Sequence, residues 1–286
     1  MENGMTIFDF RLRPPYKSFT RLGIYNPPCN MVRPQKHHAI PSRAAEEKSM
    51  DLFLQEMHEA GITAGVVMGR QVANDMASVS NDDIRELASA YPDTFIPFAS
   101  INTGLGVSGM LKELEQCLHS GFRGIAMEPT YSLPPHKADD NVLYPVYARC
   151  EQAGVPVVLT LSFFQGDLDY SFPVAVQHVA KDFPDLQIVL AHACYPWIPM
   201  VFNLCLKCPN IWLLPDIYMF NPDAPGNAMY GEAMRWLDGE RILFGSAYPC
   251  YNMKQAINDI DRFHFSTEHK EKFFYKNAYK LLNIHS

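Results

Sequence analysis

Short unbroken apolar runs alternate along this chain with stretches whose apolar positions recur every three or four residues. The runs cover residues 6–10, 63–68, 94–101, 122–127, 155–161, 186–192, 210–215 and 241–247. The amphipathic stretches lie near 44–60, 81–91, 106–120, 141–153, 172–183, 197–207, 226–238 and 252–262. Continuous apolar strands separated by helices describe parallel strands buried on both faces. Eight such units predict an α/β fold, a (β/α)8 TIM barrel, built as a single domain over residues 1–286. A further helix is expected at 265–284. EAGI (59–62), HSGF (119–122) and QAGV (152–155) each set a glycine between helix and strand, where a C-cap is wanted. The competing arrangement, an open doubly wound sheet, usually carries a phosphate loop, and the chain has neither GxGxxG nor GKS/T.

A barrel keeps its active site at the C-terminal strand ends, so the pattern nominates residues. Strand 1 ends in Arg11 and Arg13, strand 4 in Glu128, strand 5 in Thr160 and Ser162. Strand 6 ends in His192, strand 7 in Asp216 and Tyr218, strand 8 in Ser246 and Tyr248. Strict alternation puts Asp9, Arg11 and Arg13 on one face of strand 1, and Pro14 and Pro15 end it. Residues 14–43, with six prolines, Arg21, Arg33, His37 and His38, read as a long loop over the barrel mouth.

Composition narrows the classes. The chain has 286 residues, 48% hydrophobic and 19% charged, which is ample for a core. A net charge of −7 without any basic tract argues against nucleic acid. No apolar run reaches the roughly 18 residues that a membrane span needs, and no signal-peptide pattern opens the chain. Seven scattered cysteines in a chain of this size read as reduced thiols. The expectation is a cytoplasmic protein with no membrane or nucleic-acid partner; its oligomeric state is left open, a homo-oligomer included. Cys205 and Cys208 form a lone CxxC within an amphipathic helix, which reads as packing before redox or zinc chemistry.

RGIAMEP (123–129), LYPVYARCEQAGVPVVL (143–159), FPDLQIVLAHACYPW (183–197) and RILFGSAYP (241–249) occur in that order. Together they resemble the amidohydrolase-related family, in the branch containing aminocarboxymuconate-semialdehyde decarboxylase. The resemblance implies a distorted (β/α)8 barrel and metal-assisted hydrolysis, or non-oxidative decarboxylation, of small carboxylates. It also implies places for metal ligands. The strand 1 HxH is here Arg11-Leu12-Arg13, the strand 5 histidine is Thr160, the strand 6 histidine is His192, and the strand 8 aspartate is Ala247. Arginine has no lone pair to offer, and one imidazole does not make a three- or four-ligand site. No metal and no other cofactor is therefore expected.

Two guanidiniums standing where two histidines would hold a dication present planar forks suited to a carboxylate. Arg11 and Arg13 are expected to bind an anionic substrate or stabilise an oxyanion; the competing reading pairs them with Asp9 and other acids. His192 suits acid–base work. Asp216 and Glu128 each read as a general base or substrate contact, or as an arginine counter-ion. Tyr218 and Tyr248 are placed as substrate-binding residues. Thr160 and Ser162 lack an adjacent histidine, and there is no GxSxG elbow for a serine nucleophile. Trp197 and Trp212 read as packing, His37 and His38 as solvated loop residues. The expected function is a metal-independent hydrolase, a lactonase or C–N/C–O hydrolase, acting on a small carboxylated substrate. His192, Asp216, Arg11 and Arg13 are its catalytic candidates. The alternatives are a decarboxylase or other lyase on the same scaffold, and a non-catalytic binding protein.

Overall fold

The computed structural model describes residues 5–72, 77–161 and 167–284, apart from the side chains of Arg33 and Pro34. Parallel strands pair in sequence order: β1 (Ile7–Leu12), β2 (Ile62–Met68), β3 (Phe95–Ser100), β4 (Gly124–Met127), β5 (Val157–Thr160), β6 (Ile188–Ala191) and β7 (Ile211–Leu214). The eighth predicted strand is an extended segment, not a regular one. It closes the ring all the same. The amide of Leu213 donates to the Arg241 carbonyl and that of Leu243 to the Leu213 carbonyl, both at 2.8 Å. On its other side the Phe10 amide donates to the Phe244 carbonyl at 2.8 Å and the Arg13 amide to the Tyr248 carbonyl at 3.2 Å. Positive φ at Arg241 (59°) and Ala247 (57°) interrupts the ladder at both ends of the segment.

Helices cross between the strands: α1 (Met50–Ala60), α2 (Asn81–Ala90), α3 (Gly106–His119), α4 (Tyr144–Ala153), α5 (Pro173–Asp182), α6 (Ile198–Lys207), α7 (Met229–Trp236) and α8 (Met253–Asp259). Their ends follow capping chemistry. The Ser49 side chain accepts from the Leu52 amide, and the Asn252 side chain accepts from the Gln255 amide. Gly61 and Gly154 take the left-handed C-cap at φ 76° and 66°.

Apolar side chains form two layers. Phe8, Phe10, Val66, Phe98, Val158 and Trp212 fill the barrel interior. Leu12, Val67, Ile125 and Leu190 face outward onto helix residues such as Phe53 and Val176. The C-terminal stretch is one helical run, Thr267–Glu271, Lys272–Lys276 and Asn277–Leu282, with a π-type turn in the middle. That turn leaves the Phe273 carbonyl to accept from the Phe244 amide at 3.1 Å. Ala278, Leu281 and Leu282 then join the interior layer.

Residues 14–43 are less of a loop than their prolines suggest. They contain two 3-10 turns (Lys17–Arg21, Gly23–Tyr25) and a helix, Cys29–Lys36. Phe19, Leu22 and Tyr25 are buried, and the Tyr25 hydroxyl donates to the Arg13 carbonyl at 2.5 Å. The segment is a packed wall fixed to the end of β1. No disulfide joins any of the seven cysteines. Burial pushes the Cys205 thiol up to about 12 and raises Cys208 as well, which disfavours thiolate chemistry at the CxxC. Among the described residues no helix is long and apolar enough to cross a membrane.

Candidate active site

The arginines reach the barrel mouth through an irregularity in β1. From Asp9 to Leu12 it takes three steps, while its partner β2 takes two, from Gly65 to Val67. Such a bulge bends a strand and re-aims its side chains. Phe8 and Phe10 belong to the inner layer and Leu12 to the outer one, while Arg11 and Arg13 meet acids from distant strands. Of the competing reading, the pairing with acids is seen, through Asp216 and Glu128, but not the pairing with Asp9. Asp9 Oδ1 accepts instead from the amides of Arg11 (2.9 Å) and Ser246 (3.1 Å). Its Oδ2 has no partner among the described residues. Burial raises the Asp9 carboxyl to about 7, although these hydrogen bonds oppose the shift.

The first polar cluster joins β1, β6 and β7. Arg11 Nη1 donates to Asp216 Oδ2. His192 Nδ1 lies 2.8 Å from Asp216 Oδ1, which also accepts from the Ile217 amide at 2.6 Å. Both ring nitrogens of His192 stand 3.4 Å from Arg11 Nη1. Tyr218 meets the imidazole edge-on at 5.2 Å between ring centres and stacks on Tyr195 at 4.1 Å. His192 (φ 64°) and Asp216 (φ 44°) both hold positive φ, which costs a non-glycine residue roughly 1–3 kcal/mol and persists where surroundings enforce it. Burial lowers the His192 pKa and Arg11 lowers it further, against the pull of Asp216. Burial would raise Asp216, but His192 and Arg11 outweigh it and hold the carboxyl below its usual range. A neutral imidazole bonded to a carboxylate through Nδ1 carries its proton there and leaves a lone pair on Nε2. The His192 side chain keeps 18% of its surface exposed and Asp216 none, so solvent reaches the ring and not the acid.

The second cluster joins β1, β2 and β4. Arg13 Nη2 donates to Glu128 Oε1 at 2.8 Å, and Arg70 Nη2 donates to Glu128 Oε2 at 2.6 Å. The Arg70 guanidinium lies over the Tyr131 ring, 4.8 Å from its centre. Burial would raise Glu128, but Arg70, Arg13 and Arg11 prevail and hold it at about 2. Burial, with Arg11 and Arg70, lowers Arg13 to about 10 against the pull of Glu128. Both Glu128 oxygens thus face guanidiniums, in the manner of a counter-ion. Arg70 lies just past the apolar run of strand 2, and its signal in the sequence is the Gly-Arg pair following VVM.

Tyr248 is not brought to either cluster. Its hydroxyl meets Ser42 Oγ at 2.8 Å and its ring packs on Phe53 at 4.9 Å, in the outer layer. Ser246 accepts from the Tyr248 amide at 3.1 Å. Thr160 is buried at the end of β5, and Ser162 lies outside the described residues. His38 is exposed beside Asp223 at 2.6 Å, and His37 meets Asn221 at 3.2 Å. Trp212 packs inside the barrel, and Trp197 donates to Ser171 at 3.2 Å. Among the described residues no group of three or more His, Cys, Asp or Glu side chains is placed to hold a metal ion. The carboxylate bonded to His192, Asp216, is already held by a guanidinium. This donor set does not fit the metal that the resemblance implies.

A family model described as Amidohydrolase matches residues 9–284. The chain superposes on an uncharacterised TIM-barrel protein from Bordetella bronchiseptica with a TM-score of 0.91 and 35% identity, over 98% of this chain and 99% of that one. It is also similar to a 2,6-dihydroxybenzoate decarboxylase from Rhizobium (TM-score 0.69, 16% identity, 98% and 99% covered). A probable 2-pyrone-4,6-dicarboxylic acid hydrolase from Acinetobacter baumannii, with citric acid bound, gives a TM-score of 0.65 at 14% identity, again over 98% and 99%. These last two share the fold. No curated protein matches the chain.

Proposed function

The chain belongs to the amidohydrolase family, and from that premise we propose that it is a metal-independent hydrolase of small carboxylated substrates, a lactonase or a C–N/C–O hydrolase. The observation that carries this reading is the His192–Asp216 pair, 2.8 Å apart, with Arg11 on the second carboxylate oxygen. Asp216 orients the imidazole and stabilises its charged form; Arg11 positions Asp216. His192 Nε2 takes a proton from water as the water oxygen bonds to the substrate carbonyl carbon. The imidazolium then returns that proton to the leaving oxygen or nitrogen as its bond to carbon breaks. Arg13 supplies positive charge for the substrate anion or for the oxyanion formed.

Charge counting supports an anionic substrate. In the side-chain ion pairs of the two clusters three guanidiniums (Arg11, Arg13, Arg70) oppose two carboxylates (Asp216, Glu128), while His192 is held toward its neutral form and Asp9, which titrates near 7, bonds to backbone amides. A buried excess of one positive charge is unfavourable unless an anion meets it.

The test is a panel of lactones, amides and esters of small carboxylic acids, assayed before and after exhaustive dialysis against a chelator. Hydrolysis that survives the chelator and disappears in His192→Asn is expected. Release of carbon dioxide from the same acids, or about one tightly held zinc or manganese per chain at His192, would overturn the reading.

A further inference from the structure

Arg70 raises a question that the His192–Asp216 pair does not answer. A guanidinium has five N–H donors, yet Glu128 engages one nitrogen of Arg70 and one of Arg13. The Nε of each is buried and meets no acceptor among the described residues. The two side chains are only 6% and 10% exposed. Tyr131 under Arg70 fixes the plane of its fork. Arg11 is a weaker candidate for the same duty, because its Nη1 already donates to Asp216.

The strand order decides where this surplus lies. Arg13 and Arg70 leave the neighbouring strands β1 and β2, while His192 leaves β6. In a ring of seven strands and one closing segment, β2 and β6 stand opposite each other. Surplus donors and proton-handling pair therefore face one another across the mouth, linked by the two arginines of β1.

We infer that Arg13 and Arg70 form the seat of the substrate carboxylate, and that the bond to be cleaved lies away from that carboxylate, toward His192. The inference rests on the hydrolase reading and names its substrate class: acids whose carboxylate is a handle and not the leaving group. A carboxylate held by fixed guanidiniums is stabilised in the ground state, which opposes its loss as carbon dioxide. Arg70 is then a specificity residue, selecting acids over their neutral amides.

Calorimetric titration of the whole chain with benzoate, acetate and benzamide tests this. Wild type should bind benzoate or acetate at least tenfold more tightly than benzamide, since the amide lacks the negative charge and offers an N–H in place of the second acceptor oxygen. Arg70→Met should weaken carboxylate binding by roughly tenfold or more and leave benzamide unchanged. Arg70→Lys keeps the charge without the fork and should fall between; it carries the test if the methionine variant does not fold. His192→Asn should bind the carboxylates as wild type does. Equal carboxylate affinity in wild type and both Arg70 variants, or no carboxylate binding by wild type, overturns the seat. The two readings fail separately. A chain that binds benzoate through Arg70 and hydrolyses nothing keeps the seat and loses the hydrolase. One that hydrolyses its substrate equally well in Arg70→Met keeps the hydrolase and loses the seat.

Discussion

Arg11 and Asp216 are joined across the place of the eighth strand. The arginine leaves β1, the aspartate ends β7, and the segment 241–248 runs between those strands. Gly245 makes the crossing feasible: a Cβ there would come within 2.7 Å of Leu214 Cδ1 and 3.1 Å of Arg11 Cβ. The pair is buried, and Asp216 binds His192 with its other oxygen. Arg11→Met should strand that acid and destabilise the fold by about 3–5 kcal/mol. Adding Asp216→Asn should recover part of the loss, and chemical denaturation of the four members of the cycle measures the coupling. Strictly additive effects would mean that the pair does not act as one.

His192 sets the acid limb of activity. Its neutral form is the working one, and its pKa is held below the ordinary imidazole value of about 6.5 by burial first and by Arg11 as well. The limb of kcat/KM should therefore have its midpoint below about 6.5. Arg11→Met should move it upward, since the loss of a repelling cation and the freed Asp216 charge both favour imidazolium. The linked stability has the same sense. The unfolded ring binds more protons below its ordinary pKa, so this contribution is present above about 6.5 and lost as pH falls through the lower folded value. Proton NMR of the His192 ring against pH reads the shift directly.

Asp9 works the other way. Its folded carboxyl titrates near 7, against 3.8 for the ordinary group, because burial penalises the charge. Stability from this group is full below the ordinary value and is lost as pH rises through about 7. Asp9→Asn keeps an oxygen for the Arg11 and Ser246 amides and cannot ionise. It should be more stable than wild type at pH 8, by on the order of 1 kcal/mol or more, with the difference shrinking toward pH 4. Thermal melts at the two pH values check this; a constant difference would assign Asp9 an unshifted pKa.

Tyr248→Phe separates wall from chemistry. The substitution removes the hydroxyl that meets Ser42 and keeps the ring that packs on Phe53. About 1 kcal/mol of stability should be lost, with kcat unchanged. A large fall in kcat at unchanged stability would return Tyr248 to the substrate side.

The strands and helices were legible because burial is written locally. A parallel strand covered on both faces must be apolar throughout, and Gly61 and Gly154 mark where helices stop with a left-handed residue. The same rule placed Arg11, His192 and Asp216 at strand ends, since barrel topology sends those ends to one face. It could not say which charge meets which. Arg11 and Asp216 are 205 positions apart, Arg13 and Glu128 115, Arg70 and Glu128 58. No local pattern spans such distances. The irregularity of β1 was beyond reach for a related reason: a bulge is a mismatch between two strands, so it shows only when β1 is laid against β2. Tyr248 turned outward because the closing segment follows positive φ at Ala247 rather than a regular pleat. Sequence alone determined which segments are buried and which ends carry charge. Tertiary structure decided the pairing, because ion pairs and register form between chain segments that only folding brings within a few ångströms.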